Sequence, residues 1–110
     1  YHPGGLPVAD LLAHKYPGQS VSSFAGGTPV PGDDFVAVDC DVWIPAARPD
    51  VLTRTTVERL RAKYVIQGAN IPATLEAEVW MHERNILSVP DFIALFPRLP
   101  LDKLWARKSP

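Results

Sequence analysis

Cysteine, net charge and long apolar runs are all scarce in this 110-residue chain. Its single cysteine, Cys40, excludes an internal disulfide framework and a cysteine-rich zinc site. With 11 Lys+Arg against 12 Asp+Glu, there is no field of one sign to hold nucleic acid or an anionic membrane surface. No apolar run approaches the roughly 20 residues needed to span a bilayer. The opening YHPGGLPVAD has no signal-peptide character either. A soluble intracellular domain, cytoplasmic by default, is the expectation. His2, His14 and His82 stand far apart with no H-x-x-x-H spacing, which leaves no metal-ligand pattern. Neither G-x-S-x-G nor a Walker A run occurs.

What remains is an ordinary globular mix, 46% hydrophobic and 21% charged, long enough for one small domain. Twelve prolines punctuate it heavily. Leu6-Pro7 opens a first helix, with Val8, Leu11 and Leu12 as its apolar stripe and Pro17-Gly18 as its stop. Residues 18–34 read as a connecting loop, rich in Gly, Pro and Ser, with a short strand over Ser20–Phe24. Val42-Trp43-Ile44 is the first buried strand, closed by Pro45. Thr53 then caps a helix whose apolar face is Val57, Leu60 and Tyr64. Tyr64-Val65-Ile66 is the second strand, stopped by Gly68. Thr74 caps another helix, with Glu76 and Glu78 in its first turn and Leu75, Val79 and Ile86 as its apolar positions. Ile86–Val89 is the third strand, ended by Pro90-Asp91.

Short apolar strands alternating with helices point to βαβ units, right-handed crossovers and a parallel sheet. The class is α/β. Open sheets of this kind bind ligands beyond the carboxyl ends of their strands. Two loops lie there, Pro45–Pro49 and Gly68–Pro72. Their small side chains let a ligand approach the backbone, and Asn70 adds an amide that both donates and accepts. The same Gly and Ala residues also suit a plain tight strand-to-helix turn.

The blocks CDVWIPAA (Cys40–Ala47), Leu52-Thr53, AKYVIQGAN (Ala62–Asn70), PATLEAE (Pro72–Glu78) and SVPDFIA (Ser88–Ala94) occur in that order. Together with the opening YHPGGLPVADLLAHK, they resemble the glutamate dehydrogenase family, and more widely the Glu/Leu/Phe/Val dehydrogenases. The resemblance covers about residues 1–94 and implies the later part of a Rossmann-type domain that binds NAD or NADP, about three βα units with flanking helices. It also implies that Ala46 and Ala47 lie along the cofactor's ribose and pyrophosphate, and that Asn70 lies near the nicotinamide ribose. The parent reaction it implies is reversible oxidative deamination of an amino acid, L-glutamate foremost, to a 2-oxo acid and ammonia.

The chain also departs from that pattern. It has no G-x-G-x-x-G turn, and so none of the acidic residue that follows such a turn and holds the ribose 2′-OH. Ile71 stands where the family usually has glycine. After Ala94 the family continues Asn-Ala-Gly-Gly, whereas this chain reads Leu95-Phe96-Pro97-Arg98. Residues 95–110 form a divergent basic tail, with 4 Lys+Arg and 1 Asp. Its Leu101, Leu104 and Trp105 share a helical face suited to docking, or the tail serves as a basic arm. A fragment is expected: a truncated product, an excised piece or a remnant with a replaced end. It would have no catalytic residue of its own and be inactive alone. The competing expectation is a non-catalytic α/β interaction module on the inherited scaffold.

Other residues offer weaker chemistry. Asp39 and Asp41 would share a face of an extended segment, as a carboxylate pair or as solvated charges. Cys40 reads as a small core residue. Trp43, Trp80 and Trp105 form no base-stacking set without a basic groove. A partial sheet leaves an edge and part of its faces bare, so self-association, or docking on the remainder of an enzyme, is expected.

Overall fold

The computed structural model describes residues 1–95, so the expectations for Leu101, Leu104 and Trp105 lie outside the described residues. The chain forms two compact units, Tyr1–Phe35 and a second beginning at Val36. No helix among the described residues is long and apolar enough to cross a membrane.

In the first unit, Pro7 lies at the N-cap of helix α1 (Val8–Lys15) with φ −70°, ready for the first turn. The expected stripe is not buried. Val8 and Leu12 are exposed, and only Leu11 and His14 turn half inward. His14 meets Phe24 edge-on, with ring centroids 5.6 Å apart, and its Nε2 lies 2.9 Å from Ser23 Oγ. The strand expected over Ser20–Phe24 is instead a single 3₁₀ turn, Val21–Ser23. Ser20 Oγ accepts from Ser22 N–H, the local side-chain bond by which serine draws the backbone away from an extended ladder. Gly32–Ala37, at the end of the segment read as a loop, is another 3₁₀ helix that runs across the boundary between the units, and Val36, the first residue of the second unit, is buried.

The second unit is built on three parallel strands, β1 (Val42–Trp43), β2 (Tyr64–Ile66) and β3 (Leu87–Val89), ordered β1-β2-β3. This is a partial Rossmann-like α/β arrangement. Thr74 Oγ1 accepts from Ala77 N–H, 3.4 Å away, and starts α2 (Leu75–Glu83) as its sequence predicts. Asn85 then takes a left-handed conformation (φ 57°) that ends the turn and releases the chain into β3. A short helix α3 (Asp91–Ala94) follows β3.

Two helical expectations change. After Thr53 the chain makes only a 3₁₀ turn, Val57–Arg59, and Tyr64 belongs to β2 rather than to a helix face. Thr53, Thr55 and Thr56 bond one another and the backbone locally, which competes with a longer helix. Leu52 instead bridges Ala73 as an extra parallel rung and is fully buried. On α2, Leu75 and Val79 face solvent, 78% and 51% exposed, while Ala77 and Met81 are sealed against the sheet. Thr74, Ala77, Glu78 and Met81 are the i, i+3, i+4, i+7 set that packs, and half of that set is polar.

Register settles the two faces of the sheet. Trp43, Val65 and Ser88 stand in one row beneath α2, where Val65 is fully buried. Val42, Tyr64 and Leu87 stand in the neighbouring row and point to the opposite face, where Val42 and Ile44 are exposed, so the first strand is not buried as its apolar run suggests. Strands added in one direction with right-handed crossovers place both connections on one side of a sheet. In agreement, α2 packs against both β3 and the 3₁₀ turn at Val57–Arg59.

Candidate functional site

The carboxyl ends of the strands converge through backbone bonds. β1 runs out through Ile44 into Pro45, whose carbonyl accepts from Gly68 N–H at 3.0 Å and Ala69 N–H at 2.8 Å. A side chain at position 68 would place its Cβ 3.3 Å from both Ala46 Cβ and Ile44 Cγ2, tight enough that these neighbours would have to give by a few tenths of an ångström. Further along, Asp50 N–H donates to the Ile71 carbonyl (3.1 Å) and Leu52 N–H to that of Pro72 (2.9 Å). Thr74 N–H donates back to the Leu52 carbonyl (2.9 Å). The two loops therefore form one continuous, laced ledge at the start of α2.

Ala46, Ala47 and Asn70 all lie exposed on this ledge. Their three positions are brought together by the Pro45 bonds. Asn70 stands between buried Ala69 and Ile71, with its amide open to a partner. Ile71 adopts φ 45°, a left-handed conformation that opposes a β-branched side chain. That backbone is the physical reason a glycine would suit the position.

A third strand end joins the ledge through a residue that reads in the sequence only as a strand stop. Asp91 Oδ2 accepts from Ile71 N–H at 2.9 Å, and Asp91 Oδ1 accepts from Phe92 N–H at 2.7 Å. The Pro-Asp pair before an apolar run carries a helix-start signal, but nothing in the spacing links it to residue 71.

Beneath the ledge, Gln67 is the one buried polar side chain among the described residues. Its Nε2 donates to Glu78 Oε1 and to Ser88 Oγ (3.0 Å), and Ser88 Oγ donates to Glu78 Oε1 (3.3 Å). Gln67 N–H also donates to the Val89 carbonyl (3.0 Å). This network fixes the last residue before Gly68 against α2 and β3, so the ledge rests on rigid elements.

The remaining candidates sit elsewhere and do other things. Asp39, Cys40 and Asp41 line a shallow hollow of about 290 Å³, with Arg61 and Lys63, at the amino ends of the strands. Asp41 Oδ1 accepts from Lys63 Nζ at 2.7 Å, which holds the Asp41 carboxyl below and the Lys63 ammonium above their usual ranges. Burial, with Asp39 and Asp41 beside it, pushes the Cys40 thiol up and away from nucleophilic use. Among the described residues no three His, Cys, Asp or Glu side chains gather to hold a metal. His2 Nδ1 accepts from Gly4 N–H, and His82 lies exposed in the last turn of α2. Trp80 is covered by the Arg84 guanidinium, 4.1 Å from the ring centroid.

A three-stranded parallel sheet with helices on its connections defines a partial Rossmann-like α/β unit. Residues 1–95 match the model of the Glutamate/Leucine/Phenylalanine/Valine dehydrogenase family, and the chain belongs to that family. It is 34% identical over 94 residues to a glutamate dehydrogenase of Thermotoga maritima, covering 86% of this chain and 23% of the relative. The hetero-hexameric glutamate dehydrogenase of Thermus thermophilus, solved in a Leu-bound form, superposes with a TM-score of 0.75 at 26% identity. That match covers 86% of this chain and 22% of the solved one. The chain thus spans about a quarter of the length of the relatives it matches.

Proposed function

We propose that residues 1–94 are the later part of the NAD- or NADP-binding domain of an amino-acid dehydrogenase, with 95–110 a divergent tail, and that the whole enzyme acts on L-glutamate. The observation that carries this reading is the ledge at the strand ends, where Pro45 and Asp91 tie the Ala46-Ala47 loop to the Asn70-Ile71 loop. The fit to a dinucleotide is physical as well as positional. Small side chains at Ala46, Ala47 and Gly68 let a flat, extended ligand reach backbone, and a side chain added at 68 would crowd that surface. Asn70 can both donate to and accept from a ribose hydroxyl.

When bound, the nicotinamide supplies the hydride acceptor for oxidative deamination to a 2-oxo acid and ammonia. This chain's share of the work is binding and orientation: Ala46 and Ala47 along the ribose and pyrophosphate, Asn70 at the nicotinamide ribose. No residue of the chain takes a proton-transfer role here, and hydride transfer also requires a glycine-rich phosphate turn, which this sequence does not contain. The isolated chain is therefore inactive, and its natural partner is the remainder of the enzyme or further copies.

A second reading, a non-catalytic α/β interaction module, is favoured by the bulky Ile71 on the ledge. Titration with NADH and NADPH, followed through tryptophan fluorescence, separates the two. Saturable binding tighter than ~1 mM, weakened severalfold by Asn70→Ala, is expected. No binding to the folded chain would favour the module.

A further inference from the structure

We infer, resting on the cofactor reading above, that Asp91 is a positioning residue: its carboxylate holds the Asn70–Ile71 peptide in the left-handed turn that presents Asn70 on the ledge. Ile71 has φ 45°, and Asp50, which donates its N–H to the Ile71 carbonyl, has φ 50°. Neither is glycine, and a left-handed residue with a Cβ persists only where its surroundings over-determine it. Ile71 is held from both ends. Its carbonyl accepts from Asp50 N–H at 3.1 Å, and its N–H donates to Asp91 Oδ2 at 2.9 Å. That N–H belongs to the peptide carrying the Asn70 carbonyl, so the bond fixes the plane in which the chain leaves Asn70. On the near side of Asn70, the Pro45 carbonyl fixes Ala69 N–H at 2.8 Å.

Starting α3 accounts for only one of the two Asp91 oxygens. Oδ1 accepts from Phe92 N–H within α3 itself, whereas Oδ2 leaves that helix for a residue 20 positions earlier. An ionised oxygen also makes the stronger kind of bond to an N–H. Its place is set by the strand beside it. The Val89 carbonyl accepts from Gln67 N–H at 3.0 Å, and Pro90, with φ −66°, leads stiffly into Asp91. Without the Oδ2 bond, Ile71 relaxes toward negative φ and the Asn70–Ile71 peptide turns with it. The Asn70 amide then leaves the ribose position in most molecules, and the apparent affinity falls with the fraction that stays competent.

The test is NADH titration of the full chain, followed through tryptophan fluorescence, for the wild type, Asp91→Ala, Ile71→Gly and the double variant, beside amide hydrogen exchange at residue 71. Asp91→Ala is expected to weaken NADH binding about tenfold, the population shift that left-handed strain commands once its clamp is gone. In the Ile71→Gly background the same substitution is expected to cost less than about twofold, because glycine takes up left-handed φ unaided. A role confined to starting α3 would cost the same in both backgrounds, since the bond to Phe92 N–H is lost in both. The wild-type Ile71 amide is expected to exchange slowly, and about tenfold faster in Asp91→Ala, a readout that needs no cofactor. An Ile71 amide that exchanges freely in the wild type, or a loss of affinity that is absent or equal in the two backgrounds, overturns the role of Asp91 and leaves cofactor binding standing. A wild type that binds no NADH while its Ile71 amide is protected fails the cofactor reading instead, and takes the positioning role with it.

Discussion

At Ile71 the sign of an effect, rather than its size, tests the geometry of the ledge. Its φ of 45° puts a β-branched residue in the left-handed region, at a cost of about 1–2 kcal/mol. Replacement by alanine and by glycine removes the same side chain, already 58% exposed, so the lost burial nearly cancels between the two variants. At an ordinary helix or strand position glycine is less stable than alanine by ~0.5–1 kcal/mol because the unfolded chain gains freedom. At residue 71 alanine keeps the strain and glycine loses it. Subtracting the entropic term from the strain leaves glycine ahead by about 0.75 kcal/mol at the centre of a span of about 0–1.5 kcal/mol, roughly 3–6 °C in melting temperature at that centre. Urea unfolding of Ile71→Ala and Ile71→Gly, followed by far-ultraviolet circular dichroism, measures the difference. An alanine variant more stable than the glycine variant would refute the strained ledge.

Other expectations follow from the same geometry. Met81→Ala, at a fully buried site beneath the sheet, is expected to cost ~2–5 kcal/mol in urea unfolding. Thr74→Ala removes the bond to Ala77 N–H and is expected to cost about 0.5–2 kcal/mol by the same assay. The Asp41–Lys63 pair is exposed, so a double-mutant cycle with Asp41→Asn and Lys63→Met is expected to give a small coupling that fades in high salt. Because the Asp41 carboxyl is lowered, its share is present at neutral pH and is lost as pH falls through its depressed folded value. Because the Lys63 ammonium is raised, its share is lost only as pH rises through its elevated folded value. A coupling that is unchanged between acid and neutral pH would contradict the pairing.

The parts of the fold legible in the sequence are those governed by local chemistry. Thr74 as a cap, Pro7 at a helix start, and the three short apolar strands all follow from side-chain type and spacing. Apolar periodicity misleads where tertiary contact decides. Leu75 and Val79 have helical spacing but face outward, because the sheet side of α2 is taken by Ala77, Met81 and the Glu78–Gln67–Ser88 network. That network is invisible in sequence because its members are polar and Glu78 lies 11 residues from Gln67 and 10 from Ser88. Thr53 has the chemistry of a helix cap, yet the threonines around it spend their hydroxyls on one another and the turn stops at Leu60. At the ledge, Ala46, Ala47 and Asn70 follow from position in the chain, while the Asp91–Ile71 bond, which joins residues 20 apart, exists only in three dimensions. Ile71 stands out in the sequence as a departure from glycine, and its backbone supplies the reason.

Cofactor binding at the ledge is tested most directly by a map of backbone amide shifts in the folded chain as NADH is added. Saturating shifts are expected to concentrate at residues 46–48 and 68–71, with Asp39–Asp41 and Lys63 at the opposite strand ends unmoved. Shifts absent from those two loops, or strongest around Cys40, would contradict binding there.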